Sequence, residues 1–147
     1  MLTQADIIIR LLVAAGLAGL LGFERERSGK VAGLRTHITV SLGAALLSLI
    51  SIYLFENFPS IGGEQGFDYH LIANIIVGIG FIGGGAILRD GLNVSGITTA
   101  ASLWVVAAVG IASGVGFYFG ALVASLIVYL ILATLKYVGH KISPHSK

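Results

Sequence analysis

Gly78–Leu103, GIGFIGGGAILRDGLNVSGITTAASL, joins the glycine-loaded end of one apolar run to the threonine-rich start of the next. The join is a short polar turn carrying Arg89, Asp90 and Asn93. Gly78, Gly80, Gly83, Gly84 and Gly85 crowd one predicted helix, and each costs about 1 kcal/mol against Ala in water. In a bilayer that cost is offset when the missing side chain lets another backbone come close. At ~100° per residue Gly78 and Gly85 share a face, with Gly80, Gly83 and Gly84 broadly opposite. A helix bare on two sides suits the middle of a bundle, so this segment is expected to be the central helix.

Composition around it points to lipid. The chain has 147 residues, 56% hydrophobic and 11% charged, whereas about a quarter of an ordinary soluble domain is charged. A single transmembrane domain over residues 1–147 follows, built as an all-α polytopic membrane protein. Five apolar runs, at 5–23, 37–55, 70–88, 97–113 and 116–136, approach the ~20 residues that a spanning helix needs. The first run lacks a basic start, holds Arg10 and runs into GFERER, so it is expected to be a retained helix and not a cleaved signal. With no cysteine there is no disulfide framework, thiolate metal site or Cys nucleophile.

Lysine and arginine set the threading. Arg25, Arg27, Lys30 and Arg35 follow the first run, Arg89 follows the third, and Lys136, Lys141 and Lys147 follow the fifth. Arg10 alone falls on the other side, a strong positive-inside asymmetry. Five transmembrane helices with the N-terminus outside and the C-terminus cytoplasmic keep every basic cluster together. The basic residues sit at helix ends and do not form a nucleic-acid footprint. The long outer connection, residues 56–70, carries Pro59, Gly62, Gly63 and Gly66 with Glu56, Glu64 and Asp68, and is expected to be a solvated acidic loop.

The polar residues then gather at one boundary. Glu24, Arg25 and Glu26 end the first helix; Arg35, Thr36 and His37 begin the second. Arg89 and Asp90 end the third; Asn93, Ser95, Thr98 and Thr99 open the fourth. Ionisable groups at bilayer depth are costly unless paired or hydrated, which makes this gathering a candidate site. The expected network joins Glu24 or Glu26 to Arg35, and Asp90 to the start of the fourth helix. Asn93 or Ser95 is expected to cap that helix, and Trp104, too deep in the fourth run for an interfacial anchor, to serve packing. Glu24, Glu26 and Asp90 are weak candidates for Mg²⁺, since hard cations take carboxylate oxygens. Five surrounding cations, Arg25, Arg27, Lys30, Arg35 and Arg89, favour ion pairs and anionic lipid over a firm metal site or any cofactor. His37, His70, His140 and His145 are dispersed and show no metal-ligand spacing. No catalytic triad, phosphate loop or zinc motif is present, so an enzyme is not expected. Ala15/Gly19, Gly80/Gly84, Gly110/Gly114 and Gly116/Gly120 form small-xxx-small pairs, which predict tight packing and a homo-oligomer, with a dimer the simplest form.

GFERERSGKVAGLRTH and VGIGFIGGGAILRDGLNVSGITTAASLW resemble the membrane domain of the MgtC/SapB family. The resemblance implies a bacterial inner-membrane protein tied to growth at low magnesium and, in pathogens, to virulence. It implies a role as magnesium-transport accessory or, better, as a regulator of another inner-membrane complex such as the F-type ATP synthase. It draws attention to Glu24, Arg25, Glu26, Gly33, Leu34, Arg35, Thr36, His37, Gly80, Arg89, Asp90, Asn93, Thr98 and Thr99. Many members of that family continue into a soluble C-terminal domain, whereas this sequence stops at Lys147.

Overall fold

The computed structural model describes residues 2–58 and 69–142, with side chains over 2–58, 70–89 and 91–134. The loop features Pro59, Gly62, Gly63, Glu64, Gly66 and Asp68, together with His145 and Lys147, lie outside the described residues. So do the side chains of Asp90, Lys136, Tyr137, His140 and Lys141. The chain order is α1 (Gln4–Arg27), α2 (Leu34–Asn57), α3 (Tyr69–Gly85), β1 (Leu88–Asp90), β2 (Asn93–Ser95), α4 (Ile97–Gly114) and α5 (Tyr118–Ile142). Three helices, Gln4–Arg27, Leu34–Asn57 and Ile97–Gly114, are long and apolar enough to cross a membrane. His70–Gly85 and Tyr118–Thr134 are apolar over shorter lengths.

Reciprocal contacts fix the helix directions. Ser41 of α2 donates to the Ala14 carbonyl at 3.2 Å, while Gly22 lies against Leu34 and His37, so α1 and α2 are antiparallel. His37 meets Ser102 and Gly114 meets Ala45 and Ser48, so α2 and α4 run parallel. Gly83 faces Ala100 and Ile79 clusters with Ala107, which turns α3 against α4. Arg25 reaches Leu132 and Arg10 lies beside Gly116, so α5 follows α1.

The centre of the bundle is α4, which packs on α1, α2, α3 and α5, and not α3 as its glycines predict. Gly78, Gly80, Gly84 and Gly85 meet nothing within 4 Å, and Gly83 alone rests on Ala100, at 3.6 Å. The glycines that admit a neighbour are elsewhere. A Cβ on Gly110 would strike the Ser41 carbonyl, and one on Gly114 would come to 2.6 Å from the Ala45 carbonyl. These two positions seat α4 on the α2 backbone. Around the seam, Ala18, Leu21, Val106 and Leu132 form one buried cluster, and Ala44, Ile79 and Ala107 another.

The turn after α3 also departs from expectation. The helix stops at Gly85 instead of residue 88, and a two-stranded hairpin follows, pairing Leu88 with Ser95, Arg89 with Val94 and Asp90 with Asn93. Neither Asn93 nor Ser95 caps α4. Gly96 does, at φ 87° and without a side-chain bond, pressed against the Ala86 carbonyl where a Cβ would overlap. Trp104, expected to serve packing, is 50% exposed.

Candidate functional site

The end of the bundle that collects the α1 C-terminus and the α2 and α4 N-termini is also its polar end. Ser28 caps α1, and the following Gly29 adopts φ 64°. The Lys30 N–H then returns to the Arg25 carbonyl at 3.0 Å and the Gly29 N–H to the Glu26 carbonyl at 2.9 Å. This left-handed closure satisfies two of the orphan carbonyls at the helix end and aims the chain at α2.

Glu24 and Arg25 are both buried, 8% and 3% exposed, and form an ion pair through Arg25 Nε and Glu24 Oε2. The second oxygen of Glu24 accepts the Ser28 hydroxyl at 2.7 Å. Arg25 Nη2 lies 3.5 Å from the Leu132 carbonyl, tying α1 to α5. Each carboxylate oxygen of Glu24 therefore has a donor, the condition under which a buried pair is tolerated. Arg35, the partner expected from sequence, is exposed.

Glu26 turns the other way. Its carboxylate accepts the Leu34 N–H at 2.8 Å, the first free donor of α2, whose own N-cap Gly33 has no side chain to offer. An anionic group at a helix N-terminus is favoured by both the free N–H and the dipole. Glu26 is thus a cap supplied from the neighbouring helix, and Gly33 is small because the Glu26 side chain fills the space beside it, 2.7 Å from where a Cβ would stand.

His37 is fully buried between α2 and α4. Its Nδ1 faces the Gly33 carbonyl at 2.8 Å and its Nε2 the Ser102 hydroxyl at 3.0 Å. Ser102 Oγ also lies 2.7 Å from the Thr99 carbonyl. A carbonyl only accepts, so Nδ1 carries a proton, and in the neutral ring Nε2 accepts from Ser102. Thr99 is buried beside this chain of bonds, Thr36 is half-buried, and Thr98, Asn93 and Arg89 face outward. Arg89 donates through Nε to the Gly91 carbonyl at 3.2 Å, within the hairpin. Among the described residues no three acidic, histidine or cysteine side chains converge on a point that could hold a metal.

The model of the MgtC family matches residues 11–141. This chain belongs to the MgtC family. It is 42% identical to YhiD of Escherichia coli over 129 residues, covering 87% of this chain and 60% of YhiD. It is 37% identical to SapB of Bacillus subtilis over 140 residues, or 95% of this chain and 60% of SapB. MgtC of Salmonella typhimurium shares 40% over 121 residues, or 82% of this chain and 48% of that protein. The chain thus spans less than two thirds of the curated relatives it matches. No solved structure matches it.

Two functional groups of this MgtC-family chain escape a reading of helix ends. Ser102 appears in sequence only as one more hydroxyl of an apolar run, yet it is the partner of His37, 65 residues away. Arg10 appears only as the exception to the charge asymmetry, yet its Nη1 donates to the Gly114 carbonyl at 2.8 Å at the far end of the bundle. The signal for Arg10 was its place within an apolar run, where a cation requires a partner.

Proposed function

We propose that this chain is a non-enzymatic inner-membrane regulator that acts through helix contacts with itself or with another membrane complex. It crosses the bilayer five times, with its N-terminus outside and its polar end in the cytoplasm. The magnesium-related name of the relative YhiD, a candidate magnesium transporter, supports a setting of magnesium limitation in bacteria, and the family resemblance adds virulence in pathogens. The F-type ATP synthase is the partner complex that the family resemblance offers.

One observation carries the reading: the two described carboxylates of the polar end, Glu24 and Glu26, are committed to structure. Glu24 is taken by Arg25 and Ser28, and Glu26 by the Leu34 N–H. The buried serines between the helices are committed too, Ser48, Ser113 and Ser125 each bonding back to the carbonyl four residues earlier. A secondary transporter places ion-coordinating groups near the midplane, on broken helices. The described helices here are continuous and their mid-bundle hydroxyls are spoken for.

The name given to YhiD favours a second reading, a magnesium-conducting protein gated by the polar end. Flux of Mg²⁺ into liposomes holding the purified chain separates the two. A regulator gives the flux of empty liposomes. Saturable flux lost on Glu24→Ala or Asp90→Ala would establish transport in its place.

A further inference from the structure

The side of the bundle where α3 lies on α2 is unfinished. A groove of ≈ 470 Å³ runs between them, walled by Thr39, Gly43 and Leu47 of α2 and by Asn74, Gly78 and Ile82 of α3. Neither Gly43 nor Gly78 has any atom within 4 Å of a Cβ position, so backbone is bare on both walls. Next in sequence to Gly78 and Ile82 of the groove wall are the most exposed large apolar side chains of α3, Val77 at 75% and Phe81 at 87%.

Polarity is what makes this face more than a lipid-facing surface. The Thr39 hydroxyl already donates to the Arg35 carbonyl at 2.8 Å. Asn74 is exposed and makes no hydrogen bond among the described residues. Because α2 and α3 run in opposite directions, Asn74 lies alongside the Gly43–Leu47 part of α2, midway along that helix. Acyl chains offer an amide at that depth neither donor nor acceptor, and such a group calls for a protein partner.

We propose that this face pairs with the same face of a second copy of the chain. The inference rests on the membrane-spanning reading above, under which both copies share one orientation and their Asn74 amides meet at one depth. An amide both donates and accepts, so two of them related by a twofold axis satisfy each other. The apolar surface is self-complementary as well. Asn74, Gly78, Phe81 and Gly85 follow one another at helical spacing along one face. Phe81 of one copy is a knob, and Gly78 and Gly85 of the other leave bare backbone beside Ile82 to receive it. A lipid tail answers the apolar part alone, and an unrelated helix would need its own polar group at that level.

The chain contains no cysteine, so single-cysteine variants report on one position each. Residues 74–85 and, as a control, Phe119 are replaced one at a time in the full chain, expressed in bacterial membranes and oxidised with copper phenanthroline. Disulfide-linked dimers are expected at positions 74, 78, 81 and 85, and not at Ile76, Gly80 or the exposed Phe119 of α5. In the Phe81→Cys background, Asn74→Val should lower the dimer fraction about threefold or more while Asn74→Gln retains it. Equal cross-linking at every position, cross-linking confined to Phe119, or a product containing a different protein overturns the pairing. Monomer throughout, in protein that resists alkaline extraction, overturns the pairing and leaves the membrane reading intact. Release of the chain by the alkaline wash removes the membrane reading itself.

Discussion

Arg10 Nη1 donates a 2.8 Å hydrogen bond to the Gly114 carbonyl, the last of α4. It completes an account of that helix end. Val115 N–H takes the Ile111 carbonyl, Phe117 N–H the Ala112 carbonyl and Gly116 N–H, at φ 86°, the Ser113 carbonyl. All four carbonyls that a helix leaves over are then met, the fourth by a cation at the negative end of the dipole. Part of the gain is offset because Arg10 Nε is buried without a partner. Arg10→Met should lower stability by about 1–3 kcal/mol, read as the denaturant midpoint in detergent, and unchanged stability would remove the cap from the account.

Glycine substitutions should sort by neighbour and not by helix. Gly114→Ala drives a methyl into the Ala45 carbonyl and Ser48 Cβ, the latter at 2.8 Å, and should cost about 1–3 kcal/mol as overpacking. Gly80→Ala and Gly84→Ala enter open space and should be neutral or stabilise by up to about 1 kcal/mol through helix propensity. Thermal unfolding of the three variants in one detergent decides the matter. A loss at Gly80 or Gly84 as large as at Gly114 would restore α3 to the centre.

These glycines also show where sequence stops being legible. Apolar run length suffices for five helices, because it is a property of single segments. Which glycine admits a neighbour depends on the rotation of the facing helix, so five glycines in α3 outweighed the two in α4 that touch α2. The hairpin had its signal in Asp90-Gly91, a hairpin dipeptide, but strands of three residues are too short for periodicity to register. The polar end was readable as a place and not as a set of pairs. Glu24 and Arg25 are adjacent in sequence, where helical geometry points side chains apart, and only burial at the α1 terminus brings them together.

That pairing yields a double-mutant test. Glu24→Gln and Arg25→Met each strand a buried partner and should each destabilise by about 3–5 kcal/mol, while the double variant should cost clearly less than their sum. Glu24→Gln combined with Arg35→Met should be additive, since Arg35 is exposed. Denaturant unfolding of the variants in detergent gives both coupling energies. A coupling for Glu24 with Arg35 that exceeds the one with Arg25 would reverse the assignment.

The cap that Glu26 lends to α2 can be replaced. Glu26→Ala should cost about 0.5–2 kcal/mol by freeing the Leu34 N–H. Gly33 has φ −110°, open to any residue, so Gly33→Ser in the Glu26→Ala background gains both the vacated space and a hydroxyl for capping. Stability should return in that double variant, whereas Gly33→Ser alone should destabilise by crowding the Glu26 carboxylate. Absence of rescue would mean that Glu26 matters for its charge and not for this bond.

His37 and Ser102 share one hydroxyl proton between two acceptors, His37 Nε2 at 3.0 Å and the Thr99 carbonyl at 2.7 Å. While the ring is neutral, Nδ1 holds its proton for the Gly33 carbonyl and Ser102 serves Nε2. Nitrogen NMR of the labelled imidazole should therefore report the Nδ1–H tautomer in the native chain. Ser102→Ala leaves Nε2 buried without a donor and should cost about 1–3 kcal/mol. The tautomer should hold in that variant, because the Gly33 carbonyl lies in the first turn of α2 and is untouched by the change. A native spectrum showing the Nε2–H tautomer would contradict the bonding, since it would leave two acceptors facing each other at Gly33.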